Sequence, residues 1–119
     1  MKKLSTLVQS KLAESPHHSI LDKSWKYDVM KIEFSWKILK ENWIDFELSS
    51  QFKYVGLRFT SISHVFIPAG DTITTIGMVI LDTSEFLPEM PGPIYVHSGN
   101  GLEFWAQDVK KLMDVDSQN

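Results

Sequence analysis

The stretch Met30-Lys-Ile-Glu-Phe-Ser-Trp-Lys-Ile38 decides the fold class, because apolar and polar side chains alternate along it residue by residue. Its apolar set comprises Met30, Ile32, Phe34, Trp36 and Ile38. An alternation with a period of two is typical of a strand with one buried face. The sequence therefore predicts a half-buried strand over residues 30–38, with Phe34 in the core.

A second alternating run follows a polar break at residues 40–42. Ile44, Phe46 and Leu48 alternate there with acidic residues. Two adjacent alternating runs with a short polar connection predict an antiparallel hairpin. The pairing would also produce charge matches on the solvated face. The side chains expected at similar levels are Lys31 and Lys37 on one strand and Glu47 and Asp45 on the other.

Shorter apolar runs fill most of the remaining chain. Residues 54–59, 62–67, 73–81, 94–97 and 102–106 are each predicted to be strands, with 73–81 central and covered on both faces. Residues 109–115 fit either a strand or a terminal helical turn, and residues 3–14 have the spacing of a short amphipathic helix. We expect a mainly β (α+β) protein, an antiparallel β-sandwich or β-roll of six to seven strands with a short N-terminal helix. Residues 1–119 are expected to form a single domain.

Composition excludes several classes of protein. The chain has 119 residues, of which 43% are apolar and 23% charged, so it is globular rather than disordered. It has no Cys, which excludes disulfides, thiolate zinc sites and cysteine nucleophiles. Its net charge is −3 and Arg58 is its sole arginine, so we expect no nucleic-acid partner.

The N-terminal region gives no targeting signal. Lys2 and Lys3 precede a short apolar stretch, but Gln9, Ser10 and Lys11 interrupt it and no small-residue cleavage pattern follows. The longest nearly unbroken apolar run, residues 76–81, is far shorter than the ~20 residues that span a bilayer. We expect a cytoplasmic protein with no membrane partner.

The histidines and serines lack the spacing of a catalytic or metal site. His17 and His18 are adjacent, and His64 and His97 are isolated in strands, so no two are spaced to share one ion. Ser98 follows His97 directly, but sequence neighbours seldom align as nucleophile and base. We therefore expect no catalytic residue, no metal site, no cofactor and no enzymatic activity.

Two tryptophans fall on the polar side of their predicted strands. Trp43 is out of phase with Ile44, and Trp105 is out of phase with Phe104. Both indoles should therefore lie on outer faces of the sheets. An outer-face tryptophan is either covered by a helix or long loop, or is an exposed anchor for a partner.

The charges are unevenly distributed along the chain. Residues 1–81 contain ten Lys/Arg and eight Asp/Glu, whereas residues 82–119 contain two lysines and seven acids. An acidic third of the chain either serves solubility or attracts a basic protein. The second reading predicts a partner-binding surface that consists of Glu85, Glu89, Glu103, Trp105 and Asp108.

Three segments carry a resemblance to a class of bacterial proteins. They are Leu57-Arg58-Phe59, Ile76-Gly-Met-Val-Ile80 and Gly101-Leu-Glu-Phe-Trp105 followed by Asp108-Val109. In strand rhythm and size, residues 20–113 resemble small immunity proteins of polymorphic toxin and contact-dependent inhibition systems. The resemblance implies a cytoplasmic, non-enzymatic protein that binds and blocks a cognate toxin, often a basic nuclease.

The predicted function is stoichiometric protein binding, in the form of toxin neutralisation by an immunity protein. The alternative is a small-molecule-binding or enzymatic β-barrel or roll with an aromatic-lined pocket and His64 or His97 as its polar group. A third hypothesis is an assembly subunit that oligomerises through an edge strand.

Overall fold

A computed structural model describes residues 12–35, 42–66, 78–98 and 101–116. The predicted positions of Trp36, Lys37 and Ile38 lie outside these ranges, as do residues 3–11 of the predicted helix and 73–77 of the predicted central strand. No helix within the described ranges is long and apolar enough to cross a membrane.

The fold is a mainly β sandwich of two antiparallel four-stranded sheets. Its strands are β1 (Asp28–Ser35), β2 (Trp43–Ser49), β3 (Lys53–Thr60), β4 (Ser63–Phe66), β5 (Met78–Asp82), β6 (Ile94–Ser98), β7 (Glu103–Ala106) and β8 (Asp108–Asp116). The first sheet has the order β1-β2-β3-β8 and the second has the order β4-β7-β6-β5. Short 3₁₀ turns occupy Ser24–Lys26 and Ser84–Phe86, and residues 12–14 are helical. The predicted fold class is confirmed, with eight described strands rather than six to seven.

The core between the sheets centres on three phenylalanines. Phe46 and Phe59 come from the first sheet and Phe104 comes from the second. Phe46 stacks on Phe104 with ring centroids 6.0 Å apart, and Phe59 meets both rings edge-on at 5.7 and 5.2 Å. Aromatic pairs in these arrangements add about 0.5–1.5 kcal/mol each to the burial of their surface.

The predicted hairpin of β1 and β2 is confirmed, but β1 is less buried than its alternation suggested. Ile32 lies opposite Phe46, and Phe34 lies opposite Ile44, so the predicted parity holds for both. Met30 lies at a register shift and is exposed. Phe34 is 43% exposed, so its prediction as a core residue is wrong. The reason is strand order, because β1 is at the edge of its sheet.

The cross-strand charge match is confirmed for one of its two pairs. Lys31 is in register with Glu47, and its Nζ lies 3.8 Å from a Glu47 carboxylate oxygen. The Asp45 carboxylate binds Arg58 of β3, which donates from Nε and Nη2 at 2.7 and 2.8 Å. The predicted partner of Asp45, Lys37, lies outside the described residues.

The strand predicted to be central lies at the end of its sheet. β5 is the last strand in the order β4-β7-β6-β5, so the prediction from the run 73–81 is wrong for strand order. The predicted coverage of both faces is confirmed, because Ile80 lies in the core between the sheets and Leu81 packs in the cluster that contains Trp105. The chain segment 16–18 lies along the other edge of β5 and bridges it through the backbone. The His18 amide donates to the Ile80 carbonyl, and the Asp82 amide donates to the Pro16 carbonyl, both at 2.8 Å.

We expect Phe46→Ala to lower the free energy of unfolding by about 3–5 kcal/mol, the usual range for a fully buried phenylalanine. Phe34→Ala should cost about 1 kcal/mol, because part of its surface stays in water in the folded protein. Urea unfolding of the two variants measures both values. Equal losses would contradict the assignment of Phe34 to an open edge.

Candidate protein-binding surface

The outer face of the second sheet is covered. Trp105 is 1% exposed and packs with Tyr95 and Met90. Phe86, from the segment between β5 and β6, and Leu12, from the N-terminal helical turn, pack against this cluster. Of the two readings of an outer-face tryptophan, the structure shows coverage by a helix and a loop. Trp105 is therefore not the exposed anchor proposed from sequence.

The covering segment 83–93 is fastened at its base. The buried Thr83 hydroxyl donates to the Gly92 carbonyl at 2.7 Å, and the Thr83 amide donates to the Pro93 carbonyl at 2.8 Å. A Cβ at Gly92 would lie 2.8 Å from the Ala106 carbonyl oxygen, closer than real contacts allow. Only glycine lets the segment approach β7 this closely.

Three titratable side chains meet on the same face. The Tyr95 hydroxyl donates to Glu103 Oε2 at 2.6 Å, and His97 is in register with Glu103. Burial, with the Glu103 hydrogen bond and charge, raises the pKa of the Tyr95 hydroxyl above its usual range. Burial lowers the pKa of His97, and the nearby Glu103 carboxylate partly opposes that shift. Tyr95 and His97 also line a shallow depression of about 330 Å³ with Leu12, Ala13 and Leu81.

The remaining acids of the predicted surface are dispersed. Glu85 and Glu89 are exposed on the covering segment, whereas Asp108 is exposed on β8 in the other sheet. Glu103 is half-buried and bonded to Tyr95. With Trp105 in the interior, the five residues do not form one exposed surface.

The outer face of the first sheet is open and carries side chains in ordered contacts. Trp43 is half-buried on this face, as its phase predicted, and the Arg58 guanidinium lies 4.1 Å from its ring centroid. Arg58 also makes the bidentate bond to Asp45. A cation held over an aromatic face and paired with a carboxylate has a defined geometry.

Apolar side chains are exposed on the same face. Tyr54 lies opposite Val115, and Gly56 lies opposite Met113, so these residues are neighbours on β3 and β8. Tyr54, Met113 and Val115 are 38%, 37% and 51% exposed, and we call them the outer patch. Sequence analysis missed this patch because residues 109–115 could not be assigned to a strand. The available signal was the alternation of Met113 and Val115 with two aspartates.

A hollow of about 150 Å³ adjoins the outer patch above Gly56, where the sheet lacks a side chain. Met113 and Leu112 form its apolar side, and a Cβ at Gly56 would lie 3.3 Å from Met113 Cγ. Its polar side is lined by Lys31, Glu33, Asp45 and Glu47. This rim therefore holds three acids and one base. The Lys31 ammonium lies 3.3 Å from the Glu33 carboxylate.

Within the described ranges, no group of three or more His, Asp or Glu side chains could hold a metal ion. No protein-family model matches the chain, and neither the curated proteins nor the solved structures contain a significant match.

We expect the protein to lose stability as the pH falls from about 7.5 to about 5.5, in part because of His97. Its pKa is lower in the folded protein than in the unfolded chain, so the unfolded chain binds the extra proton first. His97→Gln should reduce this loss, which urea unfolding at the two pH values measures.

The Asp82 carboxyl, whose pKa is lowered by hydrogen bonds from Ser84, titrates below this window and does not interfere. An equal loss of stability in wild type and His97→Gln would contradict the role of His97.

Proposed function

We propose that this chain is a stoichiometric protein-binding protein and that its binding surface is the outer face of the first sheet. The observation that carries the proposal is the difference between the two outer faces. The second sheet buries Trp105 and Tyr95 beneath a fastened segment, while the first leaves the outer patch in water. Adjoining apolar side chains that stay exposed on a folded domain typically mark an interaction site.

The makeup of the open face fits a protein interface. Tyr, Met and Arg are enriched in interface centres, and Tyr54, Met113 and Arg58 share this face. Trp43 and Tyr54 provide aromatic area, which dominates binding energies when a partner covers it. The Arg58 contacts to Trp43 and Asp45 hold its guanidinium in place before binding, which lowers the entropy cost of association.

The partner would contact the side chains of this face rather than add a strand to β8. β8 is an edge strand, but its pairing with β3 has a register shift between Gly56 and Leu57. Its exposed residues include Lys110, Lys111 and Asp114. Bulges and charged side chains are the means by which edge strands avoid pairing with other chains. The edge-strand assembly hypothesis is therefore less well supported than binding through the face.

The hollow above Gly56 favours a partner with a basic side chain. Its apolar side suits the methylene stem of a lysine or arginine, and Glu33 and Glu47 on its rim suit the charged end. Arg58 already pairs with Asp45, so the attraction for a basic side chain of the partner comes from the two glutamates. Lys31 bridges these glutamates in the unbound protein. A basic toxin domain is the partner class that the resemblance to immunity proteins supports.

The test is one-to-one binding of a cognate basic toxin domain, compared between the wild type and variants that carry a charge in the outer patch. Val115→Lys and Met113→Lys should each weaken binding at least about tenfold, because a lysine ammonium would have to be desolvated at the interface. Isothermal titration calorimetry gives affinity and stoichiometry together. Leu87→Lys is the matched control, because Leu87 is similarly exposed on the segment that covers the second sheet.

Two results would contradict the proposal. One is a partner whose affinity is unchanged by Val115→Lys and Met113→Lys while Leu87→Lys weakens it. The other is growth protection from the toxin without a complex of defined stoichiometry, since blocking by binding requires one.

A further inference from the structure

A recess of about 460 Å³ lies where two chain segments far apart in sequence meet. One segment contains the 3₁₀ turn Ser24–Lys26, and the other is the turn that joins β2 to β3. Its lining consists of Asp22, Lys23, Lys26, Tyr27, Ser50, Gln51, Phe52 and Lys53. The volume lies within the range of small-molecule sites, and the lining holds three lysines and one acid.

Two of the three ammonium groups are available to a ligand. Lys53 is bound, since its Nζ lies 3.0 Å from Asp114 Oδ1. Lys23 and Lys26 make no ion pair with any residue that the structure describes, and both are exposed. Asp22 is the one carboxylate in the lining, so the recess as a whole favours an anion.

Local conformation does not explain a lysine at position 23. Lys23 has φ 52° and ψ 50°, the left-handed region in which glycine or asparagine is more favourable. It directly precedes the 3₁₀ turn, and its side chain makes no capping hydrogen bond there. The side chain therefore brings a positive charge to the recess at a conformational cost.

Two aromatic side chains also line the recess. Phe52 is 72% exposed, the most of any large apolar side chain that the structure describes, and Tyr27 is buried. The turn that carries Phe52 is ordered, because the Ser50 hydroxyl oxygen accepts hydrogen bonds from the amides of Phe52 and Lys53 at 3.3 and 3.1 Å. An exposed ring on an ordered turn beside a cavity is suited to pack against a planar ligand.

We propose that this recess binds a small organic anion in which a phosphate or carboxylate group is attached to a planar ring. The ammonium groups of Lys23 and Lys26 bind the anionic group, and Phe52 packs against the ring, with Tyr27 beneath it. This site is separate from the outer patch: its lining shares no residue with the hollow above Gly56. Its occupancy does not depend on the proposed protein partner.

The probe is phenyl phosphate, titrated into the ¹⁵N-labelled full chain and followed by amide chemical shifts. We expect saturable shifts confined to residues 22–27 and 50–53, with a dissociation constant of about 0.1–1 mM. Benzoate tests the carboxylate alternative, while inorganic phosphate and phenol test each half of the ligand alone. Both halves should bind at least about fivefold more weakly than phenyl phosphate, since each lacks one set of contacts.

Variants separate binding from folding. Lys26→Gln and Phe52→Ser should each weaken phenyl phosphate binding about three- to tenfold, and Lys110→Gln, the same charge change on β8, should leave it unaltered. Lys23→Gly is the sharpest variant: it removes the ammonium group and relieves the left-handed conformation. Its melting temperature should be unchanged or higher while its affinity falls.

Three outcomes would overturn the proposal. They are the absence of saturable shifts for phenyl phosphate and benzoate up to about 20 mM, an affinity that Lys23→Gly and Lys26→Gln leave intact, and equal binding of inorganic phosphate. Intact affinity in the two lysine variants would show that these ammonium groups do not hold the anion, and equal binding of inorganic phosphate would show attraction to charge without a ring-specific site.

Discussion

The contact among Phe46, Phe59 and Phe104 joins the two sheets, and the rest of the structure depends on it. Each ring is at most 1% exposed, and the rings come from β2, β3 and β7. Because the sheets pack together through their inner faces, each sheet also has an outer face. That face is either covered by other segments of the chain or exposed to water. The outer face of the second sheet is covered by residues 83–93 and the N-terminal helical turn, whereas the outer face of the first sheet is open.

The apolar pattern predicted β1 to β7, the β1–β2 hairpin and the inward face of β2, but left residues 109–115, which lie in β8, open between a strand and a helical turn. It could not predict how deeply each strand is buried, because burial depends on strand order. Phe34 and Phe46 have the same phase in their runs, yet Phe34 is on an edge strand and Phe46 on an inner one. The run that includes β5 was correctly predicted to be covered on both faces, but its place at the end of the sheet follows from the chain topology, which no local pattern reveals.

The candidate sites were harder to predict than the fold, for two physical reasons. The phase of Trp105 correctly placed its indole on an outer face, but its cover comes from residues 12 and 83–93, which only the folded chain brings over it. The recess likewise combines residues 22–27 with residues 50–53. Turns have no periodic pattern, so no sequence signal associates Lys26 with Phe52. Charge counts along the chain did not point to the acids of the hollow above Gly56, since Glu33 and Glu47 lie in the nearly neutral part.

The first sheet's outer face is open and the second's is closed, and the accessibility of two methionines reports on this difference directly. Met113 is exposed on the first, whereas Met90 is buried beneath the segment that covers the second. Oxidation by dilute peroxide, followed by peptide mass spectrometry, measures the accessibility of each thioether in the folded protein. Met113 should oxidise at least about tenfold faster than Met90, whose thioether is reached only when the covering segment opens. Oxidation of Met90 as fast as Met113 would show that the second face is open as well and would contradict the account.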